Sequence, residues 1–295
     1  MGVACGKIIL FGEHAVVYGY PGIAVPVREV NISVIIKQAD SFSYSADRKL
    51  YKEEKERLNK LLDFLFFKLN IPKENLEIII ESTIPIASGL GSSAALSIAL
   101  IRVISKHFHL DLNDDKINKL GFECEKFFHG NPSGIDNTAI TYEKSVYFKK
   151  GKTTLLNLKK PLSFVIANSG VKSSTKQVIS DVKRKYEKDK EKYANLFQEI
   201  GDITEQAKSF LQGGNVTMLG ILMTQNYYLL KQLGVSNDKL DDMVETALQA
   251  GAYGAKIAGS GKGGNIIAIV DDKVKDDVVK ALRKKSKNII CTVVE

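Results

Sequence analysis

The sequence is poor in the residues that build disulfide frameworks and zinc sites. Its 295 residues include three cysteines, four histidines and no tryptophan. Cys5, Cys124 and Cys291 are odd in number and far apart, and no two of them form a Cys-x-x-Cys pair. This spacing supports neither a disulfide framework nor a zinc site. We therefore expect three reduced and largely buried cysteines.

Long hydrophobic runs are also absent. No window reaches the roughly eighteen consecutive apolar residues that a membrane-spanning helix needs. The N-terminal residues show neither the basic region nor the apolar region of a secretory signal. We expect a cytoplasmic protein without a membrane partner.

Acidic residues are fewer than basic residues, 34 against 42, and the formal net charge is +8. Much of the positive excess lies in residues 172–192 and 273–287, where acidic residues are interleaved with the lysines and aromatics are sparse. Interleaved charges are typical of solvated helix faces, and no nucleic-acid-binding module accompanies them. We therefore predict no nucleic-acid partner, whereas a positive field suits small anionic substrates.

The chain can bury the core of one large domain or two smaller ones, because 44% of its residues are hydrophobic. Hydrophobic periodicity predicts strands at residues 4–11, 22–27, 30–37, 76–82, 145–149, 153–158, 163–167, 255–258, 265–270 and 288–294. It predicts helices at 51–69, 93–108, 113–129 and 273–284, a short helix after residue 133, and several helices between 175 and 250. A sheet with helices packed on it, of α+β class, fits this order better than a doubly wound fold. Pro161 marks a boundary between domains 1–158 and 159–295.

A glycine-rich stretch, Pro85-Ile86-Ala87-Ser88-Gly89-Leu90-Gly91-Ser92-Ser93-Ala94-Ala95, lies between a predicted strand and a predicted helix. Gly89 and Gly91 let backbone N–H groups approach an anion, and the N-terminus of a helix favours negative charge. The hydroxyls of Ser92 and Ser93 can cap the first turn, ligate a metal beside a phosphate, or do both. The stretch therefore predicts a phosphate-binding loop, with a simple turn before a capped helix as the alternative.

Two better-known glycine-rich motifs fit this stretch less well. A P-loop needs Gly-Lys followed by Ser or Thr, but Gly91 is followed by Ser92. Residues 89–94 do fit the dinucleotide fingerprint G-x-G-x-x-A, and Asp111 lies about twenty residues downstream. Because Asp111 follows a predicted helix and does not end a second strand, we take this match to be accidental.

Three further polar clusters are framed by glycine or proline. They are Lys7 with Gly12-Glu13-His14, Gly130-Asn131-Pro132-Ser133-Gly134-Ile135-Asp136-Asn137, and Gly259-Ser260-Gly261-Lys262-Gly263-Gly264. Each has a simple structural interpretation: an edge-strand lysine, a hydrogen-bonded loop histidine, a helix cap or a flexible turn. Their occurrence together in one chain favours a functional site.

Together with the phosphate loop, these clusters resemble the motifs of the GHMP kinases. The loop at 85–95 resembles the ATP loop of that family, and residues 7–19, 129–137 and 256–264 resemble further signatures. The signatures are most similar to those of the branch that phosphorylates mevalonate, although the resemblance is thin between residues 175 and 251. It implies a two-domain GHMP kinase architecture, with an N-terminal S5-like α/β domain and a C-terminal ferredoxin-like α+β domain.

The resemblance also implies a reaction and its residues. The γ-phosphoryl group of ATP would pass to the C5 hydroxyl of mevalonate, in the mevalonate pathway of isoprenoid biosynthesis. Asp136 would be the catalytic base with Lys7 as its cationic neighbour, and Ser93 and Glu125 would hold Mg²⁺. The residues implied to bind ATP are Pro85, Ser88, Gly89, Leu90, Gly91, Ser92, Ser93 and Ala94. Those implied near mevalonate and the reacting phosphate are Glu13, His14, Thr175, Gly259 and Gly261. A homodimer is a further expectation.

The chemistry of phosphoryl transfer agrees with these roles. A carboxylate with a reference pKa of about 3.9 cannot hold the proton of an alcohol in the ground state. In a loose transition state the hydroxyl needs little early deprotonation, so Asp136 can orient it and accept its proton late. Lys7 would keep Asp136 ionised and stabilise negative charge on the reacting oxygen. One hydroxyl and one carboxylate beside phosphate oxygens are a sufficient ligand set for Mg²⁺.

Other readings remain open. An enzyme that phosphorylates phosphomevalonate is the nearest alternative, whereas the galactose branch differs after the Gly-Glu-His motif and the homoserine branch lacks an acid at the place of Asp136. A catalytically silent ATP sensor on the same fold is a third alternative, although a sensor would have no need of a base. Asn265 departs from the resemblance, because we expect a small residue or cysteine after the glycine pair.

Overall fold

A computed structural model describes residues 1–85, 88–128, 132–286 and 288–295. The strands are β1 Gly2–Phe11, β2 Gly22–Gln38, β3 Ser43–Ala46, β4 Leu76–Ser82, β5 Val146–Lys149, β6 Lys152–Leu155, β7 Leu162–Asn168, β8 Gly254–Ala258, β9 Asn265–Val270 and β10 Ile289–Val294. The helices are α1 Lys52–Lys68, α2 Ser92–His107, α3 Asp114–Glu125, α4 Ile135–Tyr142, α5 Thr175–Lys188, α6 Lys190–Gly213, α7 Val216–Gln232, α8 Asp238–Gln249 and α9 Lys275–Arg283. A 3₁₀ turn, Ala15–Tyr18, follows β1. Within these described ranges, no helix is long and apolar enough to cross a bilayer.

Most predicted elements lie within two residues of their predicted bounds, and the differences from the prediction are informative. The two strands predicted before residue 38 form the single strand β2, which continues through the exposed pair Arg28 and Glu29. Helix α3 ends at Glu125, short of the predicted end at 129, and residues 129–131 lie outside the described part of the chain. Strand β3 and the 3₁₀ turn were not predicted, since both are only four residues long.

The strands form two sheets that fit the predicted α+β class. The first has the order β3-β4-β2-β5-β6, with β1 also paired to β2, and the second has the order β10-β7-β9-β8. In the first sheet β3 runs parallel to β4, while β2 is antiparallel to both β4 and β5. The second sheet is antiparallel throughout. The predicted class is therefore confirmed.

The first compact unit comprises residues 1–6, 30–85 and 91–143. Helix α2 is buried on nearly every side, which explains why its sequence carries small and apolar residues all round. Arg102 of α2 donates to Val3 O at 2.6 Å and to Thr141 O at 2.8 Å, so it ties the start of β1 to the end of α4. The apolar stripe of α1 is buried as predicted, at Leu58, Leu61, Leu62 and Leu65.

The second compact unit comprises residues 7–29, 86–90 and 144–295, of which 86, 87 and 287 are not described. Every residue of β8 and β9 is buried, as expected of strands that are covered on both faces. Helices α7 and α8 pack against these strands. Because the two units are groups of packed residues and not consecutive stretches, the predicted boundary between residues 158 and 159 stays a prediction.

The charged runs lie on exposed helix faces in the described part of the chain, as predicted. Helix α5 buries only Val178 and Val182, and α9 buries only Val278 and Leu282. Cys5 and Cys124 are buried, but Cys291 is exposed on β10. The prediction of burial is therefore wrong for Cys291, because side chains alternate along β10: Thr292 and Val294 are buried, whereas Cys291 and Val293 lie on the exposed face.

Helix α7 and strand β8 approach each other so closely at Gly220 that a side chain does not fit. A Cβ atom at Gly220 would lie 2.1 Å from Tyr253 O, and a backbone atom cannot move aside as a side chain can. We expect Gly220→Ala to lower the free energy of unfolding by about 1–3 kcal/mol in urea denaturation. Gly213→Ala is the matched control, because no atom lies within 4 Å of a Cβ there. Equal effects of the two substitutions would contradict the close approach.

Candidate active site

The second compact unit contains a six-residue loop, 259–264, that joins β8 to β9. The φ angles of Gly259, Gly261, Gly263 and Gly264 are all positive, and Lys262 also lies in the left-handed region at φ 58°. Lys262 N donates to Val235 O at 2.7 Å, and Gly264 N donates to Val171 O at 3.0 Å. These bonds hold the loop in a conformation that mainly glycine can adopt.

A second glycine loop, 88–90, lies against the first. A Cβ atom at Gly89 would be 3.5 Å from Gly259 Cα, so the two backbones are nearly in contact. The Leu90 carbonyl accepts a hydrogen bond from Lys7 N at 3.0 Å, and the Ser88 carbonyl accepts one from Asn265 Nδ2 at 2.7 Å. Ser88 is buried, and its Oγ has no hydrogen-bond partner among the described residues. Backbone N–H groups and a buried hydroxyl are the donors that a phosphate needs.

His14 and Thr175 meet the 259–264 loop at Ser260. His14 Nε2 lies 2.9 Å from Ser260 O, and Ser260 Oγ lies 3.3 Å from Thr175 Oγ1. Because a carbonyl oxygen only accepts hydrogen bonds, His14 carries a proton on Nε2. The pKa of His14 is lowered, chiefly because surrounding protein excludes water, while the bond to Ser260 and the charge of Glu13 act in the opposite direction. The ring is therefore a neutral donor, with Nδ1 left as an acceptor.

Glu13 is turned into the protein interior. Its Oε1 forms an ion pair with Lys256 Nζ, and its Oε2 accepts a hydrogen bond from Asn226 Nδ2 at 3.2 Å. The Glu13 side chain is 1% exposed and that of Lys256 is 0% exposed. Burial lowers the pKa of Lys256, and Glu13 partly offsets this effect. The predicted contact of Glu13 with substrate stays a prediction.

Lys256 and Asn226 are site residues that sequence reasoning did not identify. Lys256 stands first in the stretch 256–264 that carries the family resemblance, so a lysine in an otherwise apolar strand was an available signal. Asn226 lies in the middle of α7, where nothing in the sequence distinguishes it. Together the two residues hold the carboxylate beside His14 in place.

The first compact unit holds the start of α2. Gly91 is the N-cap in a left-handed conformation with no side-chain cap bond, so the alternative of a serine-capped helix is not observed. Ser92 is exposed, Ser93 is partly exposed and Ala94 is buried, while Pro85 lies three residues after β4. The uncapped first turn leaves its N–H groups for an anion.

Ser93 and Glu125 lie close together within this unit, as the resemblance implied. Ser93 Oγ donates to Glu125 Oε2 at 3.4 Å, and Glu125 is only 2% exposed at the end of α3. One hydroxyl and one carboxylate are oxygen donors of the kind that Mg²⁺ prefers, with water and phosphate completing its shell. In the described part of the chain, no cluster of three or more His, Cys, Asp or Glu side chains could hold a metal. The oxygen donors of the pair are compatible with Mg²⁺, and their assignment as metal ligands stays a prediction.

Asp136 lies in the first turn of α4, where the helix dipole stabilises its negative charge. The next two residues fix this helix to α3. Asn137 Nδ2 donates to Asn118 Oδ1 at 2.5 Å, and Thr138 Oγ1 lies 3.3 Å from the same atom. Asn118 is a supporting residue that the sequence did not reveal. Asp136 is thus carried by a helix that is hydrogen-bonded to α3, and its role as the base stays a prediction.

Comparison with protein families identifies the class of protein. Residues 56–144 match the family model described as GHMP kinases N terminal domain, and residues 206–288 match the model described as GHMP kinases C terminal. The chain therefore belongs to the GHMP kinase family and is an ATP-dependent kinase.

Several relatives that match the chain along most of its length are mevalonate kinases. The chain is 32% identical to the mevalonate kinase of Pyrococcus furiosus, across 95% of this chain and 91% of that protein. It is 34% identical to the mevalonate kinase of Methanocaldococcus jannaschii, across 96% of each. The crystal structure of L. major mevalonate kinase in complex with R-mevalonate matches with a TM-score of 0.89 at 28% identity, covering 100% of this chain and 95% of that one.

The buried pair of Glu13 and Lys256 yields a prediction about stability. Lys256→Met leaves a buried carboxylate without its cation, so we expect the free energy of unfolding to fall by about 3–5 kcal/mol. The double variant Glu13→Gln with Lys256→Met removes both charges and should recover much of that loss. Urea denaturation of both variants measures the difference. A double variant as unstable as Lys256→Met would show that the charge pair is not the cause.

The lowered pKa of His14 yields a prediction about pH. Below the usual histidine pKa of about 6.5 the unfolded chain takes up a proton that folded His14 resists, so stability is lost as the pH falls through that value. We expect His14→Gln, whose amide can still donate to Ser260 O, to flatten the decline in unfolding free energy between about pH 7.5 and about pH 5.5. Parallel declines for both proteins would contradict this assignment.

Proposed function

We propose that this chain transfers the γ-phosphoryl group of ATP to the C5 hydroxyl of mevalonate and releases 5-phosphomevalonate and ADP. The observation that carries the choice of alcohol is the similarity to mevalonate kinases along nearly the whole chain. The mutually contacting loops 88–90 and 259–264 support the reaction class, because they offer backbone N–H groups for a polyphosphate. A cytoplasmic location and a homodimer stay predictions.

We assign the nucleotide phosphates to the glycine loop and the helix start that follows it. Ser88 offers a buried hydroxyl, and Gly89 has no side chain to keep a phosphate away from the backbone. The uncapped turn that begins at Ser92 adds N–H groups and the positive end of the helix dipole. Pro85, Leu90, Gly91 and Ala94 would act through the backbone of the same stretch.

The proton of the alcohol would pass to Asp136. Asp136 lies in the first turn of α4, and the bonds that Asn137 and Thr138 donate to Asn118 Oδ1 restrict the movement of this helix. Lys7, which is 4% exposed, would stabilise negative charge on the reacting oxygen. Because the transition state is loose, the carboxylate mainly orients the hydroxyl and accepts its proton late.

Ser93 and Glu125 would hold Mg²⁺. Their oxygen donors fit this ion, which would neutralise charge on the phosphate groups when bound. His14 and Thr175 would contact the mevalonate side, with neutral His14 acting there as a hydrogen-bond acceptor through Nδ1 and not as a cation. Glu13 would act from its buried position beside His14. Gly259 and Gly261 would let the backbone close over the phosphate.

The experiment that tests this function is ADP release with MgATP and, separately, mevalonate, phosphomevalonate, galactose and homoserine. We expect turnover with mevalonate alone and its loss when EDTA removes the metal. Turnover with another alcohol would keep the kinase class and overturn the substrate. If none of the four alcohols is phosphorylated while ATP still binds, the result would favour an ATP sensor. Full activity in EDTA would exclude a metal from the reaction.

The assignment of the base predicts a separation of turnover from nucleotide binding. We expect Asp136→Asn to lower kcat by roughly 10² to 10⁴ while ADP binds with little change, because only proton acceptance is removed. Asp114→Asn is the control, since it makes the same chemical change at an exposed residue in the first turn of α3. Steady-state kinetics and calorimetric titration with ADP measure the two effects. Near-normal kcat in Asp136→Asn would exclude this residue as the base.

A further inference from the structure

Asn265 is the residue at which this chain departs from the family resemblance, and its side chain is fully engaged. It is the first residue of β9 and is 2% exposed. Its Nδ2 donates to Ser88 O at 2.7 Å, and its Oδ1 accepts from Asn168 Nδ2 at 2.8 Å. Asn168 is its partner in the register of β7 and β9. A cysteine or a smaller residue at this position could not form both bonds.

The orientation of both amides follows from their partners. Ser88 O can only accept a hydrogen bond, so the amide nitrogen of Asn265 must face it. The oxygen of Asn265 then faces Asn168 Nδ2, and Asn168 Oδ1 accepts from Gly170 N at 2.8 Å. Each member of this chain of bonds therefore has one consistent donor and acceptor assignment. On the side away from the 88–90 loop, the chain of hydrogen bonds ends at the backbone N–H of Gly170.

The bond to Ser88 O fixes the direction of one peptide group in the phosphate loop. In a trans peptide the carbonyl and the following N–H point in opposite directions, and the described residues contain no cis peptide bond. Holding the Ser88 carbonyl against Asn265 therefore directs the Gly89 N–H away from Asn265. A flipped peptide would instead present a carbonyl oxygen to an anion, which repels it.

Among the described residues, the neighbouring contacts restrain this peptide little. Leu90 O accepts from Lys7 N at 3.0 Å, but that bond orients the Leu90–Gly91 peptide, which is two peptides further along the chain. Gly89 itself is a glycine at φ 74°, with backbone freedom that no side chain limits. Asn265 is thus the side chain that selects one of two orientations for the Ser88–Gly89 peptide.

We propose that Asn265 is a positioning residue for nucleotide phosphate, because it holds the Ser88–Gly89 peptide with the N–H directed toward the bound anion. The inference rests on the proposed function only in its choice of ATP as the ligand. It assigns to this chain an anchor that a cysteine at the same place would lack.

Two substitutions at Asn265 and one control test the proposal. Asn265→Cys removes both bonds without adding bulk, and Asn265→Asp keeps the size and the acceptor for Asn168 but removes the donor to Ser88 O. Asn168→Ala is the control, because it breaks the same buried network and leaves the bond to Ser88 intact. Circular dichroism confirms folding of each variant, and Asn265→Asp carries the test if Asn265→Cys does not fold.

The measurements are the Kd of ADP by calorimetry and the separate KM values for ATP and mevalonate. We expect both Asn265 variants to raise the Kd of ADP and the KM of ATP by about 3- to 30-fold. The KM of mevalonate and the ADP affinity of Asn168→Ala should change by less than about twofold. This split separates phosphate positioning from a general loss of structure.

Three outcomes would overturn the proposal. They are unchanged ADP binding in both Asn265 variants, an equal loss in Asn168→Ala, and an equal rise in the KM of mevalonate. A wild-type protein that binds ADP but phosphorylates none of the four alcohols would overturn the proposed function alone, since the ADP titrations still test Asn265. A wild-type protein that binds no ADP would overturn both.

Discussion

A backbone loop can present its N–H groups to an anion only if its carbonyl oxygens point elsewhere, and two carbonyls of the 88–90 loop are held by hydrogen bonds. Lys7 N and Asn265 Nδ2 bind the carbonyls of Leu90 and Ser88, so β1 and β9 support the loop from the protein side. The close approach of Gly89 and Gly259 then brings a second loop alongside. The strands thus decide which backbone groups remain for a ligand.

The buried charge pair has a comparable supporting role. Glu13 belongs to a motif that suggests contact with a ligand, yet its carboxylate is bound by Lys256 of β8 and Asn226 of α7. An ion pair in the interior is costly unless its geometry is well satisfied. Here it connects the turn that carries His14 to the strand that leads into the 259–264 loop. Within this motif, Glu13 therefore has a structural role in holding the backbone.

Much of the fold could be predicted because long periodic segments dominate the chain. Strands β4 and β9 have the predicted bounds, and the leucine stripe of α1 is buried. The errors occur where the local signal is weak: β3 is four residues long, and the exposed pair Arg28 and Glu29 looked like a break within β2. The exposure of Cys291 depends on which face of β10 the rest of the protein covers, and that is not a local property.

The sequence by itself determined the family, the α+β class and the clusters from which a site is built, because glycine spacing and polar identity are local features. The family resemblance also implied that Ser93 and Glu125 act together, and their assignment as metal ligands stays a prediction. Only the tertiary structure decided that Glu13 faces Lys256, that His14 donates to Ser260, and that Asn265 binds Ser88. Each of these contacts joins residues that are more than 150 positions apart, and such partners are chosen by the packing of strands and helices.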